Sequence, residues 1–206
     1  MSLTAAPRPD EPARLRGQHA ESLTTLTDWT PPDARQAALQ ERYVAHLRAH
    51  PDGTSRACRP DHLTASLVLL DQDGDHVLLT LHAKAVRWFQ LGGHLEPGDS
   101  GLAGAAAREG QEESGVASLV LDPVPVQLDE HVVPFCRPPE GAPADPPGAR
   151  DVHHLDVRFV AVAPHGAQHA VSEESLDVRW WPVDALPDPE PSLAEAVALA
   201  RTRVLG

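Results

Sequence analysis

The sequence predicts a mixed α/β domain, with helices packed on a sheet and two further helices ahead of it. Three observations carry that prediction. Short apolar runs with strand character recur from Leu63 onward. Helical periodicity is confined to the first quarter of the chain, one central stretch and the C-terminal end. A glycine-rich turn joins one of the short strands to the central, alanine-rich helix. At 206 residues, with a hydrophobic fraction of 41%, the chain is long enough for one domain with a real core.

Taken in order, residues 1–12 are proline-rich and read as frayed. Leu15, Leu23 and Leu26 mark a helix from Ala13 to about Trp29, ended by Pro31 and Pro32. Asp33 can cap a second helix, Ala34 to about His50, with Leu39, Tyr43, Val44 and Leu47 on one stripe. The pair is expected to pack on the main domain as an extension spanning 1–60; a dimer contact or a lid over a substrate is the alternative. The main domain is expected to span 61–206. It opens with a hairpin, Ala65–Leu70 and His76–Leu81, turning at Asp71–Asp75. Trp88–Leu91 reads as a third strand. Ser118–Leu121 and Val124–Phe135 read as two more, followed by a proline-rich loop from Arg137 to Arg150. His153–Ala163 and Asp177–Val183 are strands, and Ser192–Leu205 is a closing amphipathic helix.

Composition narrows the function. A formal net charge of −13 argues against a broad surface for polymeric nucleic acid or an anionic membrane. It leaves room for a small nucleotide that arrives with its own divalent cations. No run is long enough to cross a membrane, and the N-terminus carries no apolar signal segment. Cys58 and Cys136 show no metal-ligand spacing in the sequence and suit a reducing cytosol. The expectation is a cytoplasmic protein.

The chemistry concentrates in Gly92–Val116, GGHLEPGDSGLAGAAAREGQEESGV. Residues three and four apart share a helix face, so Glu109 stands beside Glu112 and Glu113. Three neighbouring carboxylates repel one another unless a cation lies among them, and hard divalent cations take oxygen ligands. Arg108, four residues before Glu112, can hold that side chain by an ion pair. Glu96-Pro97-Gly98-Asp99 suits a type II turn, which would bring Gly92-Gly93 to the helix face. There a backbone carbonyl becomes a further oxygen ligand.

Gly93–Val116 resembles the signature box of the Nudix hydrolases, Gly-x5-Glu-x7-Arg-Glu-U-x-Glu-Glu-x-Gly-U, where U is a bulky aliphatic residue. The box covers about an eighth of the chain. The resemblance implies an α/β/α sandwich around a mixed sheet, here with an N-terminal helical extension. It implies magnesium- or manganese-dependent hydrolysis of a diphosphate linkage in a nucleoside diphosphate derivative or another small diphosphate substrate. Homodimers are common in the family. Carried over by position, Glu109, Glu112 and Glu113 are metal ligands, Gly93 offers its carbonyl, and Arg108 is the structural partner of the glutamates. A carboxylate must orient or deprotonate the attacking water; Glu112 or Glu113 can do so, and Glu174, with Glu173, is a candidate on a later loop.

Three departures stand out. Asp99 takes the place of the first glutamate. Eight residues, not seven, separate Asp99 from Arg108. The extra one is expected before the helix, near Ser100-Gly101, leaving the ligand face whole. Gly110 occupies the aliphatic position. These features keep alive a rival, a non-catalytic Nudix-like module that binds a nucleotide as a sensor or scaffold.

Outside the box, Arg87 can pair with a phosphate and Trp88 can stack on a base, although a tryptophan there also suits the core. His153-His154 with Asp156, and His131, can face a substrate or a metal. Lys84 and Arg158 are further phosphate candidates.

Overall fold

The computed structural model describes residues 11–134, 136–139, 141–170, 175–187 and 190–206. The extension forms α1 (Glu11–Asp28) and α2 (Ala34–Ala49). Asp33 caps α2 as expected, its carboxylate accepting from the Gln36 N–H at 2.8 Å. Seven strands follow: β1 (Asp61–Leu70), β2 (His76–His82), β3 (Arg87–Phe89), β4 (Leu91–His94), β5 (Val120–Val132), β6 (His153–Val162) and β7 (Ser175–Pro182). Helix α3 (Leu102–Ser114) lies between β4 and β5, and α4 (Pro191–Leu205) closes the chain.

The strands form one mixed sheet in the order β3-β2-β1-β6-β5, with β4 paired to β1 and β7 to β2. The β1–β6 pair is parallel and the rest are antiparallel. Alternation along β1 explains the layers. Leu63, Ala65, Leu67 and Leu69 face a core shared with Leu26, Tyr43 and Leu47 of the extension and with Leu102, Ala105 and Ala106 of α3. Val68 and Leu70 face the other way, onto Leu193, Ala196, Val197 and Ala200 of α4. Helices therefore cover both faces, and the α/β/α arrangement holds.

On the α4 side, the N-terminal half of β1 carries His62, Thr64 and Ser66 instead of apolar residues, all three buried. Thr64 and Ser66 donate to the buried Asp156, at 2.9 and 2.6 Å. Arg158 bonds Asp156 at 3.2 Å and Asp129 at 3.0 Å. Buried charges persist where they are paired and hydrogen-bonded in this way.

Two expectations change. The separate strands at Ser118–Leu121 and Val124–Phe135 are one strand, β5, with a register shift between Asp122 and Gln127. Pro123 and Pro125 lack the N–H that a ladder needs, so the strand bulges there. It continues because both halves pair with β6. Phe135 lies outside the described residues. The single strand Trp88–Leu91 is instead split at Gln90 into β3, which pairs with β2, and β4, which pairs with β1. The loop 137–150 carries no helix or strand among its described residues. No helix among the described residues is long and apolar enough to cross a membrane.

Candidate active site

Helix α3 begins at Leu102, with Gly101 as its N-cap, so the extra residue of the box falls in the loop before the helix. Gly101 has φ 139°, a backbone conformation that favours glycine. The Glu21 carboxylate of α1 occupies the space its Cβ would take and accepts from the Leu102 N–H at 3.1 Å. An acid from the extension thus meets the positive end of the central helix.

Arg108 is the hub of the face. It bonds Asp99 in bidentate fashion, Nε to Oδ1 at 2.9 Å and a terminal nitrogen to Oδ2 at 3.1 Å. It also bonds Glu109 and Glu112, each at 3.0 Å, and the His94 carbonyl at 2.9 Å. Asp99, shorter than glutamate, still reaches the guanidinium. Burial opposes the charge on Arg108, but the Asp99 hydrogen bonds and the Glu109 and Asp99 charges outweigh it and raise its pKa. Burial raises the pKa of Glu109, with Arg108 opposing.

The glycine pair does approach the helix face. The Gly92 N–H donates to Glu113 Oε2 at 2.9 Å. A Cβ on Gly93 would lie 2.5 Å from Glu109 Oε1. The turn that delivers them is not type II, because Gly98 lacks the positive φ that its third position requires. The Asp99 side chain shapes the turn instead. Its Oδ2 accepts from the Glu96 N–H at 2.7 Å, beside a backbone bond from Asp99 N–H to the Glu96 carbonyl at 2.9 Å.

This face carries three carboxylates, Glu109 and Glu112 held by Arg108 and Glu113 by the Gly92 N–H. A family model, the NUDIX domain, matches residues 60–200. The chain belongs to the Nudix family. No curated protein sequence matches it. Among solved structures, it resembles an Escherichia coli dihydroneopterin triphosphate pyrophosphohydrolase at 19% identity, covering 70% of this chain and 97% of that one, TM-score 0.52. It also resembles a C. elegans Ap4A hydrolase from a binary complex at 16% identity, covering 69% and 97%, TM-score 0.50. At such identities the likeness is one of fold. Family membership supports pyrophosphate hydrolysis as the class of chemistry.

Within the Nudix box, Gly110 has a packing reason. A Cβ there would run into Leu67 Cδ2 of β1 and lie 3.3 Å from Leu119 Cδ2. Here the side-chain ends of Leu67 and Leu119 fill the space that the bulky aliphatic of the family pattern would take.

The remaining candidates are placed elsewhere. Glu173 and Glu174 lie outside the described residues. Arg87 makes an ion pair with Glu190, at the start of α4. Trp88 packs edge-on against Trp181, their ring centroids 5.3 Å apart, in the α4-side core. Lys84 is exposed. Arg158 is 3% exposed and its guanidinium also bonds Gln127 and the Ser192 carbonyl, so it is not available to a phosphate. His153 pairs with Asp61 at 3.2 Å, and His131 with Asp129 at 2.9 Å.

His154 has different company. Among the described residues, His62, His94, Cys136 and His154 bring their ligand atoms within 4.8 Å of one another, and His50, Asp52 and Cys58 form the second such group. The α3 glutamates are not so converged; their oxygens are held by Arg108 and the Gly92 N–H. The cysteine spacing gave no hint of the first group, because its members come from four separate segments.

Proposed function

We propose that this Nudix protein is a divalent-cation-dependent pyrophosphohydrolase acting on a small nucleoside diphosphate derivative, with magnesium or manganese as the cofactor. The observation that carries the reading is the arrangement of Glu109, Glu112 and Glu113 on one side of α3, against Gly92-Gly93 and braced by Arg108. Their donors are all oxygens, which suits a hard cation. Glu109, Glu112, Glu113 and the Gly93 carbonyl would hold it. When bound, such a cation lowers the pKa of water and neutralises charge on phosphoryl oxygens.

The chain's own part is to position and to move a proton. Arg108 holds Glu109 and Glu112 in place on the helix face, and Asp99 anchors Arg108. The 60% exposure of the Glu112 side chain supports reading it as the group that orients the attacking water or takes its proton, with Glu113 as its alternate. The binding-only reading rested on Gly110 and the extra residue. Tight packing accounts for the first, and the loop before α3 absorbs the second.

The test is a panel of nucleoside diphosphate derivatives with magnesium or manganese, products identified by mass spectrometry. Wild-type protein is expected to release phosphate-containing products only with the cation. Removing a ligand of the metal forfeits several kcal/mol, so Glu112→Gln is expected to lower kcat roughly 100-fold or more while the thermal midpoint holds. Full activity in Glu112→Gln would overturn the site. Tight binding of a diphosphate without turnover in the wild type would overturn the enzymatic reading.

A further inference from the structure

We propose that His62, His94, His154 and Cys136 form a tetrahedral zinc site, back to back with the carboxylate face and separate from it in ligand chemistry. The register puts the three histidines on the α4 side of the sheet. His62 and His154 are direct partners across β1 and β6, and His94 of β4 stands opposite Thr64, two residues along from His62. Their ring centroids are 4.8, 5.0 and 5.2 Å apart. Cys136, on the loop after β5, brings its buried sulfur to 3.5 Å from His94 Nε2 and 3.7 Å from His62 Nε2. Zinc bonds of about 2.1 Å to nitrogen and about 2.3 Å to sulfur set a tetrahedral nitrogen–sulfur edge of about 3.6 Å.

Two details point to a ligand rather than to ordinary packing. His154 Nε2 is buried and has no hydrogen-bond partner. A buried polar nitrogen left unpaired costs free energy that a metal bond would recover. His62 Nδ1 lies 3.1 Å from the Cys58 carbonyl. That carbonyl can only accept, so the proton sits on Nδ1 and the lone pair on Nε2 faces the cluster. Metal-binding histidines are held in this way by the bond of their other nitrogen.

Three imidazoles and a thiolate suit zinc and are poor ligands for magnesium. Four protein ligands close the coordination shell, which marks a structural site. Such an ion would tie β1, β4 and β6 to the loop after β5. Strand β4 offers His94 to this cluster on one face and Gly93 to Glu109 on the other, so the ion would stiffen the strand that carries the Gly93 carbonyl.

The experiment uses the full chain, exposed to zinc at neutral pH with excess magnesium, gel-filtered, and assayed for metal by mass spectrometry. A cobalt(II)-loaded sample is read by absorption. Wild-type protein is expected to keep one zinc per chain and, with cobalt, to show intense tetrahedral bands and a thiolate charge-transfer band. Cys136→Ser is expected to lose the charge-transfer band and most of the zinc, and Glu112→Gln to keep both. If Cys136→Ser does not fold, the wild-type cobalt spectrum and the fall in thermal midpoint on chelation decide. Wild-type protein without retained zinc, cobalt bound without a thiolate band, or equal zinc in Cys136→Ser would each overturn the site.

Discussion

At the residue scale, Gly110 shows how one position can trade helix stability for packing. Glycine in a helix interior costs roughly 1 kcal/mol against alanine, yet the side chains of Leu67 and Leu119 already fill the space a larger residue would take. Gly110→Val would restore the aliphatic of the family pattern and overpack a fully buried leucine. A loss of roughly 1–3 kcal/mol is expected, read as a thermal midpoint lower by roughly 2–4 °C per kcal/mol; an unchanged midpoint would refute the packing account. Cys58 makes a second case. Burial, with Asp52 adding to it, pushes its thiol from 9.0 up to about 12. For an acid with a raised folded pKa, the neutral form is favoured by folding. Its contribution to stability is complete below the unfolded pKa and is lost as pH rises through the window up to about 12. In mildly alkaline buffer, iodoacetamide should leave Cys58 unmodified in the native protein and label it after unfolding. Rapid native labelling would contradict the burial argument.

At the element scale, the central helix is positioned from outside its own sequence. Glu21 of α1 caps its first turn through the Leu102 N–H, and Gln18 donates to the Glu96 carbonyl at 2.8 Å. Glu21→Ala removes both an acceptor and a favourable charge at a helix N-terminus. A loss of about 1 kcal/mol is expected on denaturation, and Glu21→Gln should recover part of it; no loss in Glu21→Ala would show that water replaces the cap. Helix α2 is tied down in a comparable way. Gln36 donates to the Leu128 carbonyl at 3.0 Å and accepts from its N–H at 2.7 Å, pairing with the edge strand β5 as another strand would.

At the scale of the molecule, the extension and the Nudix domain share one core. Leu26, Trp29, Tyr43, Val44 and Leu47 are buried in the same cluster as Leu63, Leu128 and Leu155. Residues 61–206 alone would expose that face of the sheet. They are expected to bind a hydrophobic dye and melt without a sharp transition; a cooperative, fully active fragment would instead favour the lid or dimer reading. Much of this was legible in the residues. Periodicity and caps marked the helices, alternation marked β1 and β2, and Arg-Glu-Gly-Gln-Glu-Glu-Ser-Gly marked the carboxylate face, because these depend on neighbours three to five residues away. The bulge in β5 and the shape of the turn at Gly98 were misread. There the deciding contacts are the shared partner β6 and the Asp99 side chain, which local propensity does not contain. The sequence by itself determined the family, the layers and the carboxylate face. Only the tertiary structure decided that His62, His94, Cys136 and His154 meet, since sheet pairing brings together segments up to 92 residues apart, the separation of His62 from its partner His154.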